Sequence, residues 1–379
     1  MHIVHLLEKL DIKEGGLGQF YWHVACEQVK LGHNVSLFAL GKKKEQYTNG
    51  GVNITILPKP RWVRGLGGLT LLTALTCLTP KPDIIHGPQA IPFGWFFPIL
   101  KSRYPGPVAV SVHSSLQLRA KIHDEGVLSA WESLEFSILM NTILFRADVV
   151  LPVAEFIKKE LVDGGLVRPD KIHVIPPGID FSIFKPNPKR TKRPFTVLYI
   201  GRFMKRKGLI HLLEAARLLS AESPDIRFRL VGGKSSDDGY AEVVTFISRM
   251  DLSATVTIAP PVAYPMISHE YHRGDCIVLP SYREPFARTN LEAAASGIPI
   301  ITSGTGGIRD FITHGVNGYV IPTKNARAMA DAIMEIHNNN RLRNTLIRNA
   351  LLSIKKYDWS YIAKRYCDVF AEIAASCRR

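Results

Sequence analysis

The sequence alternates short apolar runs with amphipathic stretches, and this alternation constrains the fold more than any other feature. Residues 1–7 (MHIVHLL) have the composition of a buried strand, residues 17–31 have helical periodicity, and residues 34–40 (NVSLFAL) return to a strand. Strands that alternate with helices pair in parallel, with helices on both faces of the sheet. We therefore predict an α/β fold with doubly wound sheets. Further strands are predicted within residues 54–57, 83–87, 108–114, 147–153, 194–203, 228–233, 255–260, 276–281, 298–302 and 318–322, and further helices within 125–146, 154–161, 208–220 and 326–376.

A polar segment divides the alternating pattern into two halves. Residues 185–194 (KPNPKRTKRP) hold three prolines and five basic residues and offer nothing to bury, which is typical of a linker. A chain of 379 residues also exceeds what one ordinary hydrophobic core supports. We predict a first domain at residues 1–184, a linker at 185–193, a second domain at 194–358 and a last helix at 359–379.

The charge of the chain limits the kinds of partner it favours. The formal net charge is +15 and the pI is about 9.6, so the surface favours nucleotides, sugar phosphates, nucleic acid or an acidic membrane face. A basic but otherwise ordinary solvated surface is the alternative. Few aromatic residues stand among the basic ones, and no nucleic-acid-binding motif is present, so we do not expect nucleic acid as a partner.

The cysteines and the apolar runs indicate the compartment. Five cysteines are scattered without any C-x-x-C pair, so neither a zinc site nor a disulfide framework is predicted. The first residues form a strand pattern rather than a secretion signal, and no apolar run reaches the 18 residues of a spanning helix. We expect a cytoplasmic protein that meets a reducing environment.

In open parallel sheets, ligands bind beyond the carboxyl ends of the strands, so the residues that follow each strand are candidate ligands. After the first strand, Gly15, Gly16 and Gly18 would let the backbone approach a ligand just before a helix. Tight packing is an equally good explanation for these glycines, since neither G-x-G-x-x-G nor a P-loop pattern is present. His113 follows another strand and could donate to a hydroxyl or a phosphate, although a structural histidine is the simpler interpretation.

The turn GRFMKRKG at residues 201–208 concentrates positive charge at a strand end. Arg202 and Lys207 stand five positions apart there, and Lys205 and Arg206 lie between them. A guanidinium fork and an ammonium point charge together suit a diphosphate. A solvated basic turn is the alternative, but the glycines at both ends of the turn favour a functional role.

Two acids follow a later strand. Glu284 comes just before a helix that runs to residue 295, and Glu292 lies eight positions further on. Free amides at the helix start attract anions, so the segment could bind a sugar and a ribose on either side of a phosphate group. Two unrelated glutamates are the alternative.

Taken in order, these motifs resemble a known family. The patterns GRF-x-x-x-KG, LPS-x-x-E-x7-E-A-x-x-x-G-x-P and GG-x-x-[DE]-x-x-x-x-G-x-x-G resemble the retaining, GT-B-fold glycosyltransferases, which include bacterial and archaeal mannosyl- and glucosyltransferases. The resemblance extends over nearly the whole chain, through EGGLG, His113, VIPPGID and YDWSYIAKRY. It implies two doubly wound, Rossmann-like domains that face each other across a cleft, with the acceptor on the first domain and the donor on the second. It also implies that the helix at 359–379 packs back on the first domain.

The resemblance assigns a role to each candidate residue. Glu284 would bind the hydroxyls of the donor hexose, Glu292 would hold the nucleotide ribose, and His113 would contact the sugar and assist the reaction. Arg202 and Lys207 would neutralise the departing diphosphate. The other donor-binding residues implied are Gly15, Gly16, Gly18, Phe286, Ala287, Arg288 and Thr289.

The resemblance also implies the reaction. A hexose from a nucleotide-diphosphate sugar, with guanine or uracil as the base, would pass to a hydroxyl acceptor: a glycan, a glycolipid or a small molecule. Retention of configuration would follow front-face departure and attack without an enzyme nucleophile. No cofactor or metal would be needed, and no D-x-D pair stands near the acidic motif. The common E-G-F-G is Glu284-Pro285-Phe286-Ala287 here, which stiffens the turn and bears on the choice of donor.

The acceptor side carries a second basic region. Trp62, Arg61 and Arg64 precede a run of leucine and threonine that ends near residue 80. The segment could lie on an anionic membrane face, on the inner side of the membrane, and meet a lipid-linked acceptor. A buried helix under a loop is the alternative. Arg119 and Lys121 could contact an anionic acceptor or form a solvated face.

Two other functions use the same fold. A sugar-nucleotide epimerase of GT-B fold would share the nucleotide site, but the full set of Arg202, Lys207, Glu284 and Glu292 favours transfer. A non-catalytic relative that only binds a nucleotide sugar would have less need for these four residues. Slow hydrolysis of a donor in the absence of an acceptor would separate that relative from an enzyme.

Overall fold

The computed structural model of the protein describes most of the chain, as two compact units. Unit 1 comprises Met1–Gly178 and Trp359–Arg379, and unit 2 comprises Ile179–Asp358. The described residues are 1–12, 16–59, 67–76, 78–89, 97–114, 142–187 and 194–377.

Within the described residues of unit 1, seven strands form one sheet in the order β3-β4-β2-β1-β5-β6-β7. All neighbours pair in parallel except β3 and β4, which form an antiparallel hairpin at the edge. The central strands are buried on both faces, which explains why their sequences are continuous apolar runs. The strands are β1 (His2–Leu7), β2 (Asn34–Gly41), β3 (Glu45–Asn49), β4 (Val52–Pro58), β5 (Ile84–Pro88), β6 (Val108–Val112) and β7 (Val149–Pro152).

Within the described residues of unit 2, six strands form a second sheet in the order β10-β9-β8-β11-β12-β13, and every neighbouring pair is parallel. The order reverses between β8 and β11, so the loops after these two strands leave the sheet side by side. The strands are β8 (Thr196–Ile200), β9 (Arg227–Val231), β10 (Val256–Ala259), β11 (Cys276–Leu279), β12 (Ile300–Thr302) and β13 (Tyr319–Val320).

Helices connect these strands and supply the rest of the two cores. The prediction of two doubly wound α/β sheets is therefore confirmed. In chain order the described helices are α1 (Leu17–Lys30), α2 (Gly67–Thr76), α3 (Phe97–Arg103), α4 (Glu155–Asp163), α5 (Leu209–Glu222), α6 (Tyr240–Arg249), α7 (Ile267–Tyr271), α8 (Arg288–Ala295), α9 (Ala326–Asn338), α10 (Asn340–Ser353) and α11 (Trp359–Cys377).

The last helix, α11, is part of unit 1. Trp359, Tyr366 and Phe370 are buried in the same apolar cluster as residues of β1, β2 and α1. The ring of Phe20 on α1 meets the ring of Trp359 edge to face, with centroids 5.4 Å apart. The chain thus returns to unit 1 after completing unit 2.

The first crossing between the units lies earlier than residue 184, where the sequence places the end of the first domain. Unit 2 begins at Ile179. The ring of Phe184 is fully buried against Tyr264 and Tyr271 of unit 2, and Nε2 of His272 lies 2.9 Å from the carbonyl oxygen of Lys185. The start of the predicted linker is therefore packed on unit 2, because an aromatic anchor precedes it.

The leucine-rich segment after Trp62 is described only from residue 67. There, Leu71, Leu72 and Leu75 of α2 are buried, and α2 packs on β4 and β2. These leucines face the core of unit 1, as the buried-helix alternative requires. Of the acceptor-side predictions, Arg61, Trp62, Arg64, Arg119 and Lys121 lie outside the described residues, as do Gly15 and most of the predicted helix 125–146.

Candidate active site

The candidate site of unit 2 is built on the turns that follow β8 and β11. Gly208 ends the first turn with φ at 69°, a conformation that favours glycine. A Cβ at this position would lie 2.3 Å from the carbonyl oxygen of Pro280, in the second turn. The amide of Tyr282 donates to the carbonyl of Arg206 at 2.9 Å. The two turns therefore run side by side at the carboxyl edge of the sheet.

This contact brings Lys207 and Glu284 together. Nζ of Lys207 forms an ion pair with Oε2 of Glu284, and only 19% and 12% of the two side chains are exposed. Partial burial makes such a pair stronger than one in open solvent. The carbonyl of Glu284 also accepts from the amide of Gly307 at 3.1 Å, which ties the acidic turn to the glycine pair after β12.

Arg202 has a carboxylate partner as well. Its Nε and Nη2 lie 2.9 and 2.8 Å from Oδ1 of Asp237, a fully buried side chain in the loop after β9. Burial would raise the pKa of Asp237, but the amides of Lys234 and Phe203 and the guanidinium of Arg202 outweigh it and lower that pKa. Asp237 is therefore ionised at neutral pH.

Glu292 lies on α8 and is nearly buried. The hydroxyl of Tyr271 donates to its Oε2 at 2.6 Å, and Nη2 of Arg288 lies 3.8 Å from its Oε1. Burial and the charge of Glu292 raise the pKa of Tyr271, so this hydroxyl stays protonated and remains a donor. The guanidinium of Arg288 also lies over the ring of Tyr264, 5.6 Å from its centroid.

The start of α8 lies between the two acids. Ala287 precedes the first turn and has no side chain that could accept from the first amides, which lack acceptors within the helix. Thr289 is half-buried in that turn. Phe286 is buried, with its ring centroid 6.1 Å from that of Tyr357. The segment from Glu284 to Glu292 thus presents amides flanked by two carboxylates.

The predicted residues of unit 1 lie at the ends of β1 and β6. Gly16 has φ at 77° and open space around its Cβ position, whereas a Cβ on Gly18 would meet the backbone of Asp11 at 2.5 Å. Close packing against Asp11 therefore requires glycine at position 18. His113 is half-buried directly after β6, edge to face with Phe20 at 4.7 Å.

A row of hydrogen-bonded side chains crosses unit 1 near His113. Nε2 of His5 lies 2.6 Å from Oε1 of Gln28, and Nδ1 of His5 lies 3.0 Å from Nδ1 of His86. Nε2 of His86 lies 2.7 Å from the hydroxyl of Ser111, which lies 3.3 Å from the hydroxyl of Tyr366 on α11. All five side chains are buried.

The direction of this row follows from neutral imidazoles. Burial lowers the pKa of His5 to about 4 and the pKa of His86 well below its usual value. A neutral imidazole has one N–H. His5 therefore donates from Nε2 to Gln28, His86 donates from Nδ1 to His5, and Ser111 donates to His86. The ring of Tyr21 lies 4.9 Å from the ring of His86 and 6.0 Å from the ring of His113. Tyr21 therefore connects His113, at the end of β6, with the hydrogen-bonded side chains.

One cavity lies against the same basic turn. Its volume is about 280 Å³, and Lys205, His211, Glu242 and Tyr282 are among the residues that line it. Neither Glu284 nor Glu292 lines it, so it is separate from the pairs described above.

Neither a metal centre nor a membrane-spanning helix is found among the described residues. They contain no group of three or more His, Cys, Asp or Glu side chains placed to hold a metal ion. No helix in the described ranges combines the length and apolar composition needed to cross a bilayer. Independence of a metal remains a prediction.

Sequence reasoning missed two partners of the predicted residues, Asp237 and Tyr271. Asp237 lies in the loop after β9, just beyond Gly232 and Gly233, so the rule that ligands gather after strands would have found it. Tyr271 precedes Glu292 by 21 residues, on another helix, and no local pattern connects the two.

The protein belongs to the GT-B-fold glycosyltransferases. The model of the family Glycosyl transferases group 1 matches residues 180–352, and the model of Glycosyltransferase Family 4 matches residues 14–183. The two matches meet near the boundary between the units and together span most of the chain. The predicted resemblance is confirmed at this level.

The individual relatives share only a modest sequence identity with this chain. The D-inositol 3-phosphate glycosyltransferase of Nocardioides sp. is 25% identical over 78% of this chain and 68% of that protein. The enzyme of that name from Thermobispora bispora is 28% identical over 56% of this chain and 53% of its own length. The matched part of this chain thus spans between about half and two thirds of the length of these two relatives.

Solved structures agree on the fold. Sucrose-phosphate synthase from Thermosynechococcus elongatus has a TM-score of 0.84 at 20% identity and covers 99% of this chain and 100% of its own. The Anabaena protein HepE, solved with UDP and glucose, has a TM-score of 0.78 at 18% identity and covers 98% of this chain and 100% of its own. At such identities the likeness concerns the fold alone.

Proposed function

We propose that this protein transfers a hexose from a nucleotide-diphosphate sugar to a hydroxyl acceptor, with retention and without a metal. The observation that carries the proposal is that the turn after β8, with Arg202 and Lys207, lies beside the turn after β11, with Glu284, and that Lys207 and Glu284 form an ion pair. Family membership supports transfer over epimerisation.

The resemblance to the family supplies the residue roles, and the charges of the side chains are consistent with them. The bond between the anomeric carbon and the β-phosphate oxygen breaks, a bond to the acceptor oxygen forms, and the acceptor proton goes to the departing diphosphate. Arg202, Lys207 and the amides at the start of α8 stabilise the negative charge that grows on that diphosphate. Glu284 binds the hexose, Glu292 binds the ribose, and His113 assists the reaction.

The comparisons suggest substrates to test first. HepE was solved with UDP and with UDP-glucose, which supports a uridine diphosphate sugar as the donor. The inositol 3-phosphate glycosyltransferases take their name from a phosphorylated acceptor, and a net charge of +15 favours an anionic acceptor here too. A cytoplasmic location, with an anionic membrane surface as a further partner, belongs to the same proposal.

A binding screen followed by hydrolysis tests the proposal. UDP, GDP and ADP, and then their glucose, mannose and N-acetylglucosamine conjugates, are added to the wild type, to Glu284→Ala and to a matched control, Glu372→Ala, whose side chain is exposed on α11. We expect one nucleotide to raise the melting temperature, because a ligand of the folded state stabilises it.

The enzyme should then slowly release that nucleotide from one sugar conjugate. Glu284→Ala should abolish the release, and Glu372→Ala should retain it. Binding without any release, with or without candidate acceptors, would favour the non-catalytic relative. No shift with any nucleotide would refute the donor assignment.

A further inference from the structure

The buried carboxylate of Asp237 accepts three hydrogen bonds and forms an ion pair with Arg202, and together these contacts fix its position. Oδ1 accepts from Nε of Arg202 at 2.9 Å and lies 2.8 Å from Nη2 of the same guanidinium. Oδ2 accepts from the amides of Phe203 at 2.9 Å and Lys234 at 3.1 Å. Oδ1 thus binds the arginine, and Oδ2 accepts from the backbone of two loops, the one after β8 and the one after β9.

The two loops around Asp237 are themselves packed closely. The amide of Gly239 donates to the carbonyl of Phe203 at 2.9 Å, and a Cβ on Gly233 would lie 2.5 Å from the Phe203 ring. On the other side, the hydroxyl of Tyr199 donates to the carbonyl of Arg202 at 2.8 Å. Both the backbone of Arg202 and its carboxylate partner therefore have fixed positions.

This arrangement leaves one edge of the guanidinium available. Asp237 is 0% exposed at its side chain, whereas Arg202 is 61% exposed. A guanidinium has five N–H groups; Asp237 accepts the one on Nε and lies at ion-pair distance from Nη2. Among the described residues no other acceptor binds Arg202, so the remaining N–H groups point away from the buried carboxylate.

We propose that Asp237 is a positioning residue that orients Arg202 toward the diphosphate of the donor. The inference rests on the proposed function, in which Arg202 binds that diphosphate. A carboxylate behind a charged ligand group restricts its rotamers in advance, so less conformational entropy is lost when the ligand binds. Asp237 contacts no substrate; it acts through Arg202.

A different role for the same carboxylate would be to join the loops after β8 and β9. Such a role would affect stability and every ligand alike. Orientation of Arg202 predicts instead that Asp237 matters only for ligands with a diphosphate, and only while Arg202 is present. A double-mutant cycle on nucleotide binding separates the two roles.

The cycle uses Asp237→Asn, Arg202→Ala and the double variant of the full chain, with Asp238→Asn as the matched control. Asp238 is the exposed neighbour, and it accepts from the Lys205 amide at 3.2 Å. Calorimetry measures the Kd of UDP and GDP and, as probes without phosphate, uridine and guanosine.

We expect Arg202→Ala to weaken binding of the nucleoside diphosphate by about 10- to 100-fold, as for a charged hydrogen-bonding group. Asp237→Asn should weaken it by about 3- to 10-fold in the wild-type background and have no effect in the Arg202→Ala background. Nucleoside binding and the Asp238→Asn control should not change.

Two outcomes would overturn the positioning role. The first is that Asp237→Asn binds diphosphates as tightly as the wild type. The second is that Asp237→Asn lowers diphosphate affinity by the same factor in the Arg202→Ala background as in the wild-type background. If Arg202→Ala itself leaves diphosphate affinity unchanged, the donor assignment of Arg202 fails as well, which distinguishes the two proposals. Should Asp237→Asn not fold, Arg202→Lys replaces it in the test. Lysine keeps the charge without the fork, and wild-type affinity in that variant would refute orientation by Asp237.

Discussion

At the scale of single residues, the two predicted diphosphate cations each have a carboxylate partner, but the partners differ. Arg202 is paired with Asp237, which is fully buried and out of reach of a ligand. Lys207 is paired with Glu284, which the proposed function assigns to the donor hexose. The first pair fixes an orientation, while the second places a negative charge beside a phosphate-binding cation. Glu284 should therefore have opposite effects on the nucleotide and on the sugar conjugate.

Glu284→Gln tests this division. Loss of the carboxylate charge should tighten binding of free UDP or GDP by a few-fold, because Lys207 is no longer neutralised. Turnover of the sugar conjugate should fall by at least about 100-fold, the range found when a transition-state contact is lost. Calorimetry and initial rates measure the two quantities. Parallel losses in nucleotide affinity and turnover would contradict the prediction.

At the scale of elements, the polarised row through His5, His86 and Ser111 connects β1, β5 and β6 with α1 and α11. Each strand contributes one side chain to a path that is buried along its whole length. The path requires a neutral His5, because a second N–H at its Nδ1 would face the N–H that His86 donates from Nδ1. Acid should therefore weaken unit 1.

The sign follows from the pKa of His5. Its folded pKa is about 4, below the usual value of 6.5, so the unfolded state binds more protons between these values. The free energy of unfolding should have its full value above pH 6.5. It should fall as the pH drops toward 4, by up to about 3 kcal/mol for this group. His5→Gln should flatten the slope, and the exposed His269→Gln should not.

Tryptophan fluorescence during urea unfolding measures this, because all five tryptophans lie in the residue ranges of unit 1. An equal slope in the wild type and in His5→Gln would show that the histidine row does not determine the acid sensitivity.

At the scale of the whole molecule, unit 1 is completed by a helix that the chain reaches only after unit 2. Trp359, Ile362, Tyr366 and Phe370 of α11 are almost entirely buried in the unit 1 core. Each large apolar side chain contributes about 1.5–3 kcal/mol on burial. Four such contributions are comparable with the 5–15 kcal/mol that typically stabilises a domain.

Removal of residues 359–379 should therefore unfold unit 1. We expect the truncated chain to lose the near-ultraviolet circular dichroism and the amide protection of unit 1, while Ile179–Asp358 keeps protected amides. Removal of residues 377–379 alone, which begins at an exposed cysteine, is the control and should leave both units folded. Protection of β1 and α1 in the longer truncation would show that unit 1 folds without α11.

The sequence predicted the parallel strands and directed attention to the residues that follow them, because both follow from local patterns, whereas β3, α3, α6 and α7 were not predicted. Apolar runs such as TVLYI and CIVLP gave β8 and β11 within a few residues. The acids and cations after those strands were found from the rule that parallel strands collect ligands at their carboxyl ends. The resemblance to GT-B glycosyltransferases rests on the same spacings, and the family matches confirm it.

Only the tertiary structure decided which partners these residues have. Asp237 reaches Arg202 across 35 positions and Tyr271 reaches Glu292 across 21, through loops and helices that meet only after the sheet has formed. The buried row from Gln28 to Tyr366 joins five elements, and α11 leaves the second half of the sequence to complete the first unit. Local patterns reflect which residues of one strand or helix are buried and which are exposed. Pairing between distant side chains depends on how the elements pack, which no short stretch of sequence encodes.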